Sequence, residues 1–304
     1  MLWSQVRILP GPPTNMINFK TIKTIVTHPG HAHRDDFLSV CFVLAMCAEE
    51  NNVPSVQRRE PTDSDLSDSN VVVLDVGEKH QPELSNFDHH QFDRNADPVC
   101  ALTLILQNMT IYEEASRGFR WLNVTEKFDS KGPFYVANEI GIEWNKISDA
   151  TFSPIEEVIL HMFSKMSENN QTMTDLMTNI GLELINTLTQ FTGRWEQLSD
   201  SITTSSVNGN EIVFSLGILG DNDPSFALSA YVAERHPNAV ATITHDDRGN
   251  GYCLFRLNDS PKIDFSLIES DERVLFAHKN GFVAKTHDKL ESTEILELLE
   301  KSST

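Results

Sequence analysis

The sequence predicts an α/β protein, with a mostly parallel sheet in an N-terminal domain and a smaller α+β C-terminal domain. Val71–Val76 is a short, nearly continuous apolar run, which is typical of a central parallel strand covered on both faces. Before it come a strand-like run, Lys20–Val26, and a segment that is apolar on nearly every side, Asp35–Glu49, which indicates a buried helix. After about Asp200, short strand patterns and hairpin signals replace the long helical patterns.

Helices fill the rest of the predicted N-terminal domain. Asp97-Pro98 supplies an N-cap and a proline for the first turn of one helix, and Ser153 begins a capping box for another. The polar stretch Gln57–Asn70 is predicted to be a loop. The predicted helices are 97–109, Tyr112–Phe128, Ser153–Ser167 and Thr172–Leu198.

The C-terminal domain is predicted from turn signals between short apolar runs. Asn208-Gly209 is a hairpin signal ahead of a strand at Ile212–Ile218. The remaining predicted elements are a helix from Asp223-Pro224 to Arg235, strands at Ala239–Thr244, Tyr252–Leu257 and Val274–Ala277, and a helix at Ser292–Lys301. We therefore assign residues 16–200 and 201–304 to the two domains, and residues 1–15 to a non-native or disordered extension.

Composition excludes some classes of function. The net charge of −20 argues against a broad basic surface for nucleic acid, because like charge repels phosphate. No apolar stretch reaches the roughly 20 residues that span a bilayer, so no membrane partner is expected. The four cysteines show no CxxC spacing, which favours free thiols in a reducing compartment and a cytoplasmic location.

Potential metal ligands are concentrated in three places, each after or at the end of a strand-like run. These are the segment HPGHAHRDD at residues 28–36, Asp75, and the triplet Asp88-His89-His90. Sites in open α/β sheets gather at the carboxyl ends of strands. Mixed imidazole and carboxylate ligands suit Mn²⁺, Fe²⁺ or Zn²⁺, and their number exceeds the need of one tetrahedral ion. Two ions bridged by a carboxylate would activate a water for phosphoryl chemistry.

Each residue also has a simpler interpretation. His28 alone would be a surface or capping residue, and Asp35 and Asp36 would favour a helix start through the dipole. Asp88 alone would be a turn former. Their order along the chain and their position near strand ends favour a metal site over these separate roles.

The same residues carry a resemblance to a known family. Thr27-His28-x-Gly30-x-x-His33-x-Asp35, Arg59-Glu60-Pro61, Asp75-Val76-Gly77 and Phe87-Asp88-His89-His90-Gln91 resemble the motifs of the DHH phosphoesterase superfamily. Within it they are most similar to the Myg (melanocyte-proliferating-gene) branch of exonucleases, which also has a histidine at the first aspartate position. More loosely, Phe276–Phe282 is similar to that branch's His-x-x-Gly-Phe segment. Pro29, His31 and Ala284-Lys285 depart from the pattern.

The resemblance implies a DHH-type catalytic domain and a role for each residue. His28 and His33 would hold one ion, Asp35 and His89 the other, and Asp75 would bridge them. Four further roles complete the set: Asp129 as a ligand of the second ion, Asp88 as an acceptor that orients a histidine, His90 as a contact to substrate phosphate, and His278 as a C-terminal residue that closes on the substrate. Asp129 could instead be an ordinary helix-end residue. We interpret His31 as an exposed bystander, Gly30 as a backbone requirement and Asp36 as a helix-start residue.

The expected function is a metal-dependent phosphoesterase with two divalent ions, Mn²⁺ being the leading candidate. The resemblance implies a 3′→5′ exonuclease that acts on RNA or short oligonucleotides, with a homodimer as one option. Because the chain is acidic, a dinucleotide or pyrophosphate substrate is the first alternative. The second is a catalytically silent metal- or nucleotide-binding module.

Overall fold

Strands and helices alternate along the first part of the chain, as the sequence predicts. The structure, a computed structural model, describes residues 17–147, 153–168, 170–216 and 226–304. The proposed extension 1–15 and the predicted helix start at Asp223-Pro224 lie outside these residues. The chain divides into two compact units between Thr189 and Gln190.

A five-stranded sheet forms the centre of the first unit, in the order β2-β1-β3-β5-β4. Its strands are β1 (Thr24–Thr27), β2 (Ser55–Arg58), β3 (Val71–Leu74), β4 (His80–Gln81) and β5 (Asn86–Phe87). All neighbours are parallel except β4 and β5, and every residue of β3 is buried. The mostly parallel α/β class is therefore confirmed.

Seven helices accompany this sheet within the described residues. They are α1 (Arg34–Glu49), α2 (Ala101–Asn108), α3 (Tyr112–Gly118), α4 (Leu122–Lys131), α5 (Pro133–Ile140), α6 (Pro154–Ser164) and α7 (Gln171–Ser201). Helix α1 is largely buried: Val40, Cys41 and Val43 are fully enclosed, as its apolar pattern predicts. The Ser153 hydroxyl accepts a hydrogen bond from Glu156 N at 3.2 Å, so the predicted N-cap of α6 is confirmed.

Four details of the first unit differ from the sequence prediction. Gln57 and Arg58 belong to strand β2 and not to a loop, because pairing with β1 satisfies the backbone of this polar edge. Helix α2 begins at Ala101 and not at Pro98, since its first free amides donate to a carboxylate described below. The predicted helix 112–128 is two helices, with a break after Gly118. Helix α5 was not predicted.

One close approach fixes the packing of α7 against α1. A Cβ built at Gly181 would lie 2.0 Å from the backbone oxygen of Cys41. Only glycine therefore fits at this point of α7, and the absence of a side chain lets the two backbones come together.

A six-stranded sheet forms the second unit, in the order β10-β11-β9-β8-β7-β6. The elements of this unit are β6 (Thr203–Val207), β7 (Asn210–Ser215), α8 (Ala227–Arg235), β8 (Ala241–His245), β9 (Tyr252–Arg256), β10 (Val274–Ala277), β11 (Val283–Thr286) and α9 (Ser292–Lys301). Only β7 and β8 pair in parallel. Its core joins Leu254 and Ala284 of the sheet to Ile295 and Leu298 of α9, as expected for an α+β unit.

The boundary between the units lies at Thr189–Gln190, in the second half of α7, whereas the predicted boundary, near Asp200, lies at the end of the same helix. The last part of α7 contributes Phe191 and Leu198 to a cluster with Ala227 and Tyr231 of the second unit. A single continuous helix hides such a boundary from periodicity analysis. No helix among the described residues has the length and apolar character to cross a bilayer.

Candidate metal centre

The three ligand-rich stretches meet at one edge of the parallel sheet. Strand β1 runs into the loop at residues 28–33, β3 ends just before Asp75, and β5 ends just before Asp88. These strands are neighbours and point the same way, so their carboxyl ends lie side by side. The sheet topology therefore brings together segments that are far apart along the chain.

Asp75 lies at the centre of the group. It is buried, and its backbone adopts a left-handed conformation with φ of 58°, which aspartate tolerates better than most residues. Its amide donates to the Phe87 carbonyl at 3.0 Å, which holds the strand end in place. Its Oδ1 lies 3.2 Å from Nε2 of His89, and its Oδ2 lies 3.6 Å from Nε2 of His28. One carboxylate thus faces histidines from two different motifs.

The first group of ligand atoms comes from His28, His33 and Asp75, and these atoms all lie within 4.8 Å of one another. His28 Nδ1 lies 2.9 Å from the Pro29 carbonyl oxygen. A proton on Nδ1 would donate to that oxygen and leave Nε2 free, which is the usual arrangement of a metal-binding imidazole.

The second group comes from Asp35, Asp75, His89 and Asp129, again within 4.8 Å. His89 Nε2 lies 2.6 Å from Asp129 Oδ2. Asp129 lies inside α4 and not, as predicted, after a helix. Both groups contain Asp75, and together they hold all six predicted ligands in the predicted division. A third group, Asp75, Asp88, His89 and His90, also contains Asp75. Their function as ligands stays a prediction.

Asp35 is oriented by the start of helix α2. Its Oδ2 accepts from Ala101 N at 2.9 Å and its Oδ1 accepts from Leu102 N at 3.0 Å. These amides are free because a helix leaves its first four N–H groups without partners, and the helix dipole favours an anion there. The carboxylate is fully buried, yet both of its oxygens have partners.

The Asp88-His89-His90 triplet separates into two roles. Asp88 Oδ1 accepts from His90 at its backbone N (3.1 Å) and lies 2.6 Å from its Nδ1, while Oδ2 accepts from Glu78 N at 2.6 Å. Burial favours the neutral acid, but the hydrogen bonds from His90 prevail and lower the pKa of Asp88. Asp88 therefore orients His90, whose side chain is 56% exposed and so accessible to a ligand.

The carboxylates of the second group repel one another. Burial, and then the charges of Asp129 and Asp75, raise the pKa of Asp35. Burial also raises the pKa of Asp75, although the hydrogen bond with His89 opposes this change. A site with several buried carboxylates binds positive charge, either as protons or as a cation.

The carboxylates at this edge also favour the charged form of two histidines. Burial disfavours the charged ring of His28, but contacts with Asp36 outweigh this effect and raise its pKa to about 9. Burial is likewise outweighed at His89, where Asp129 and Asp75 raise the pKa to about 10. The surroundings of both rings therefore stabilise a cation.

The imidazole nitrogens and carboxylate oxygens of this site suit a divalent metal ion. Two buried atoms of predicted ligands, His28 Nε2 and Asp129 Oδ2, have neighbours of opposite charge but make no hydrogen bond of acceptable geometry. Buried polar atoms are rarely left in this state without a ligand. The set of imidazole and carboxylate donors contains no thiolate, which suits Mn²⁺ and related ions.

Two of the residues singled out from the sequence lie apart from these groups. His31 is exposed and joins none of the ligand groups found among the described residues, in agreement with its interpretation as a bystander. His278 lies in the second unit, directly after β10, with its ring centroid 4.1 Å from that of Phe282. Gly281, with φ of 67°, allows the turn that brings them together. The predicted contact of His278 with substrate stays a prediction.

Two polar residues at this edge make contacts that the sequence did not predict. Asp36, interpreted only as a helix-start residue, has a fully buried carboxylate beside His28, in addition to its contacts with the first turn of α1. Arg58 reaches Asp36 from strand β2. Asp36 occupies an ordinary helix-start position, so its sequence context does not reveal the contact with His28, and no spacing rule links an arginine on another strand to the site.

Part of this chain is similar in sequence to known proteins. Residues 24–98 match the model of the family MYG1_exonuc, described as Uncharacterised protein family (UPF0160). The rat (Rattus norvegicus) protein named MYG1 exonuclease is 35% identical over 102 residues, which span 33% of this chain and 25% of that protein. The predicted resemblance to the Myg branch is thereby confirmed for this segment.

Two solved structures resemble the chain only weakly. A DHH domain described as a member of the s1p family of ribosomal proteins has a TM-score of 0.33 at 13% identity, covering 94% of this chain and 88% of that one. RecJ from Thermus thermophilus, in complex with Mn²⁺, has a TM-score of 0.28 at 10% identity, covering 93% of this chain and 52% of that one.

Proposed function

We propose that this chain, which carries the Myg-type motifs over residues 24–98, is a metal-dependent phosphoesterase that acts as an exonuclease on RNA or short oligonucleotides. The observation that carries the proposal is the convergence of His28, His33, Asp35, His89 and Asp129 around one shared carboxylate, Asp75. A carboxylate common to two ligand groups is the arrangement expected of a two-ion hydrolase.

A pair of divalent ions, with Mn²⁺ as the leading candidate, would supply an activated water and stabilise negative charge on the phosphoryl oxygens. The chain itself provides the orientation of each group. Asp35 is held by two backbone amides and Asp88 holds His90, so the side chains are positioned before substrate arrives. His90 would contact a substrate phosphate through its exposed ring.

Aromatic rings near His278 support an oligonucleotide in preference to a small phosphate ester. Phe276 (46% exposed), Phe255 (44%) and Phe282 (36%) lie on or beside the outer face of strands β9, β10 and β11. The Phe255 and Phe282 centroids are 6.4 Å apart, and Phe282 packs on His278. Exposed rings of this kind stack on unpaired bases, which pyrophosphate lacks.

The negative charge of the chain favours an alternative, a phosphoesterase that acts on a small substrate. At a net charge of −20, a long polyanion would be repelled, whereas a dinucleotide or pyrophosphate would be neutralised by the ions alone. The 3′→5′ direction and the preference for RNA come from the resemblance and are part of this proposal.

The test is hydrolysis by the full chain with Mn²⁺ of four substrates: 3′- and 5′-labelled single-stranded RNA of about ten nucleotides, a dinucleotide and pyrophosphate. Stepwise mononucleotide release from the 3′ end, abolished by EDTA and restored by Mn²⁺, is the expected result. Activity confined to the two small substrates would replace the exonuclease by the alternative. Tight Mn²⁺ binding without hydrolysis of any substrate would show a silent binding module.

A further inference from the structure

A buried arginine lies beneath the loop that carries the first ligands. The Arg58 side chain is only 5% exposed, and its guanidinium lies 4.2 Å from the centroid of the Phe163 ring. Its Nη2 donates to the backbone carbonyls of Gly30 and His31 at 3.3 and 3.4 Å. One side chain of strand β2 thus holds the loop between His28 and His33 in place through hydrogen bonds.

The same guanidinium also neutralises Asp36. Arg58 Nη1 lies 3.2 Å from Asp36 Oδ2, and the carboxylate is fully buried. Asp36 Oδ1 accepts from the amides of His33 and Phe37 at 2.7 and 2.9 Å, which fixes the orientation of the carboxylate. A buried carboxylate without a cation would be costly, so Arg58 stabilises Asp36 together with His28, which contacts the same oxygen.

Asp36 in turn faces a predicted ligand. Its Oδ2 lies 3.2 Å from Nε2 of His28, the nitrogen that also faces Asp75. The amide of His33 is bonded to the other oxygen of Asp36. Both histidines of the first ligand group are therefore in contact with one carboxylate, and that carboxylate is in contact with Arg58.

We propose that Arg58 and Asp36 are positioning residues that hold His28 and His33 in place for the first metal ion. Neither residue belongs to the ligand groups or to the quoted family motifs, so the inference goes beyond the assignment of ligands. Partners that orient metal ligands typically change metal affinity by about 10–100-fold when removed.

Two roles of Arg58, as a nearby positive charge and as a residue that positions the loop, predict opposite changes in Mn²⁺ affinity when it is replaced. A positive charge close to a cation site weakens ion binding, so its removal in Arg58→Gln would tighten binding if charge were all that mattered. If Arg58 positions the loop, Arg58→Gln weakens binding. Arg58→Lys keeps the charge but loses the fork that reaches two carbonyls and a carboxylate together, so it isolates the geometric contribution.

The experiment is a calorimetric Mn²⁺ titration of the full chain, with the electron paramagnetic resonance spectrum of bound Mn²⁺ as a second readout. We expect Arg58→Lys and Arg58→Gln to weaken binding of the first Mn²⁺ ion by at least about tenfold and to change the spectrum of the bound ion. Asp36→Asn should do the same, since it keeps the shape but removes the charge that pairs with Arg58. Arg273→Lys, the same change at an ion-paired arginine of the second unit, is the matched control and should bind as the wild type does.

Unchanged Mn²⁺ affinity and spectrum in Arg58→Lys would overturn the proposal, as would tighter binding in Arg58→Gln. Circular dichroism shows whether each variant folds; if Arg58→Lys does not, Asp36→Asn decides by the same criteria. The inference rests on the metal site of the proposed function but can fail separately from it. Wild-type protein that binds Mn²⁺ without hydrolysing any substrate overturns the proposed function and leaves the positioning role to be decided by the titration.

Discussion

Asp75 Oδ1 lies 3.2 Å from His89 Nε2, although 13 residues of chain separate the two and each follows a different strand. Strands β3 and β5 are parallel neighbours, so their ends bring the two side chains together without a long connection. The contact joins two sequence motifs into one site, and the other predicted ligands lie close to it.

Asp75→Asn should reduce Mn²⁺-dependent hydrolysis by at least about 100-fold, because an amide cannot bridge two cations as a carboxylate does. The expected Mn²⁺ content falls below that of the wild type. Turnover and metal content of the purified variant measure both effects. Asp63→Asn, at an exposed position of the same unit, is the control. Near wild-type turnover in Asp75→Asn would contradict the bridging role.

His33 and His31 should respond differently to the same substitution. His33 is part of a ligand group and His31 is not, although only one residue separates them. We expect His33→Ala to weaken Mn²⁺ binding by at least about tenfold and His31→Ala to change it less than about twofold. Calorimetric titration of each variant measures the affinity. Equal losses in both would mean that His31 is a ligand.

Phe276→Ala should weaken binding of single-stranded RNA, since one stacked base contributes about 1–3 kcal/mol, or roughly 5- to 150-fold in affinity. Mn²⁺ affinity should be unaffected. Fluorescence anisotropy with a labelled oligonucleotide in Ca²⁺ or EDTA, without turnover, measures the effect. Leu267→Ala removes a similarly exposed aliphatic side chain of the same unit and serves as the control. Unchanged RNA affinity in Phe276→Ala would remove the aromatic support for an oligonucleotide substrate.

Two glycines of helix α7 should give opposite results when replaced by alanine. At Gly181 a Cβ would lie 2.0 Å from the Cys41 oxygen, whereas at Gly193 nothing lies within 4 Å. Gly181→Ala should destabilise the protein by about 1–3 kcal/mol through overpacking. Gly193→Ala should stabilise it by up to about 1 kcal/mol, because alanine favours the helix. Denaturant unfolding of both variants measures the difference, and equal effects would contradict the close packing of α7 on α1.

The ion pairs of Asp271 in the second unit should make the free energy of unfolding depend on pH. Hydrogen bonds from Arg273 and then Lys301 lower the pKa of Asp271 well below its usual value. Its contribution is therefore fully present above the unfolded pKa of about 4 and is lost as pH falls toward the folded pKa. We expect Asp271→Asn to cost about 0.5–1 kcal/mol at pH 7, as surface ion pairs do, and progressively less below pH 4. Urea unfolding of wild type and variant at pH 7 and pH 3 tests this; a constant difference would contradict it.

Local patterns in the sequence were enough to predict the sheet class, helix α1 and the three ligand-rich stretches that meet at the site. Apolar runs such as Val71–Leu74 report burial directly, and chemically distinctive residues near strand ends indicate a site. Arg58 could not be found this way, because its role depends on which strand lies beside β1 and on a ring from helix α6. The start of α2 was misplaced for the same reason: a distant carboxylate, Asp35, takes its first amides.

The hydrogen bonds that Asp35 accepts from Ala101 and Leu102 also give the protein an internal reporter. A cation that draws electron density from this carboxylate must weaken both bonds, even if no backbone atom moves. The NMR resonances of those two amides should then shift on addition of a diamagnetic ion such as Zn²⁺ or Mg²⁺, which gives no optical or paramagnetic signal of its own. The amide resonances in the first turn of α2, a helix that contributes no predicted ligand, would then report whether the second ion is bound.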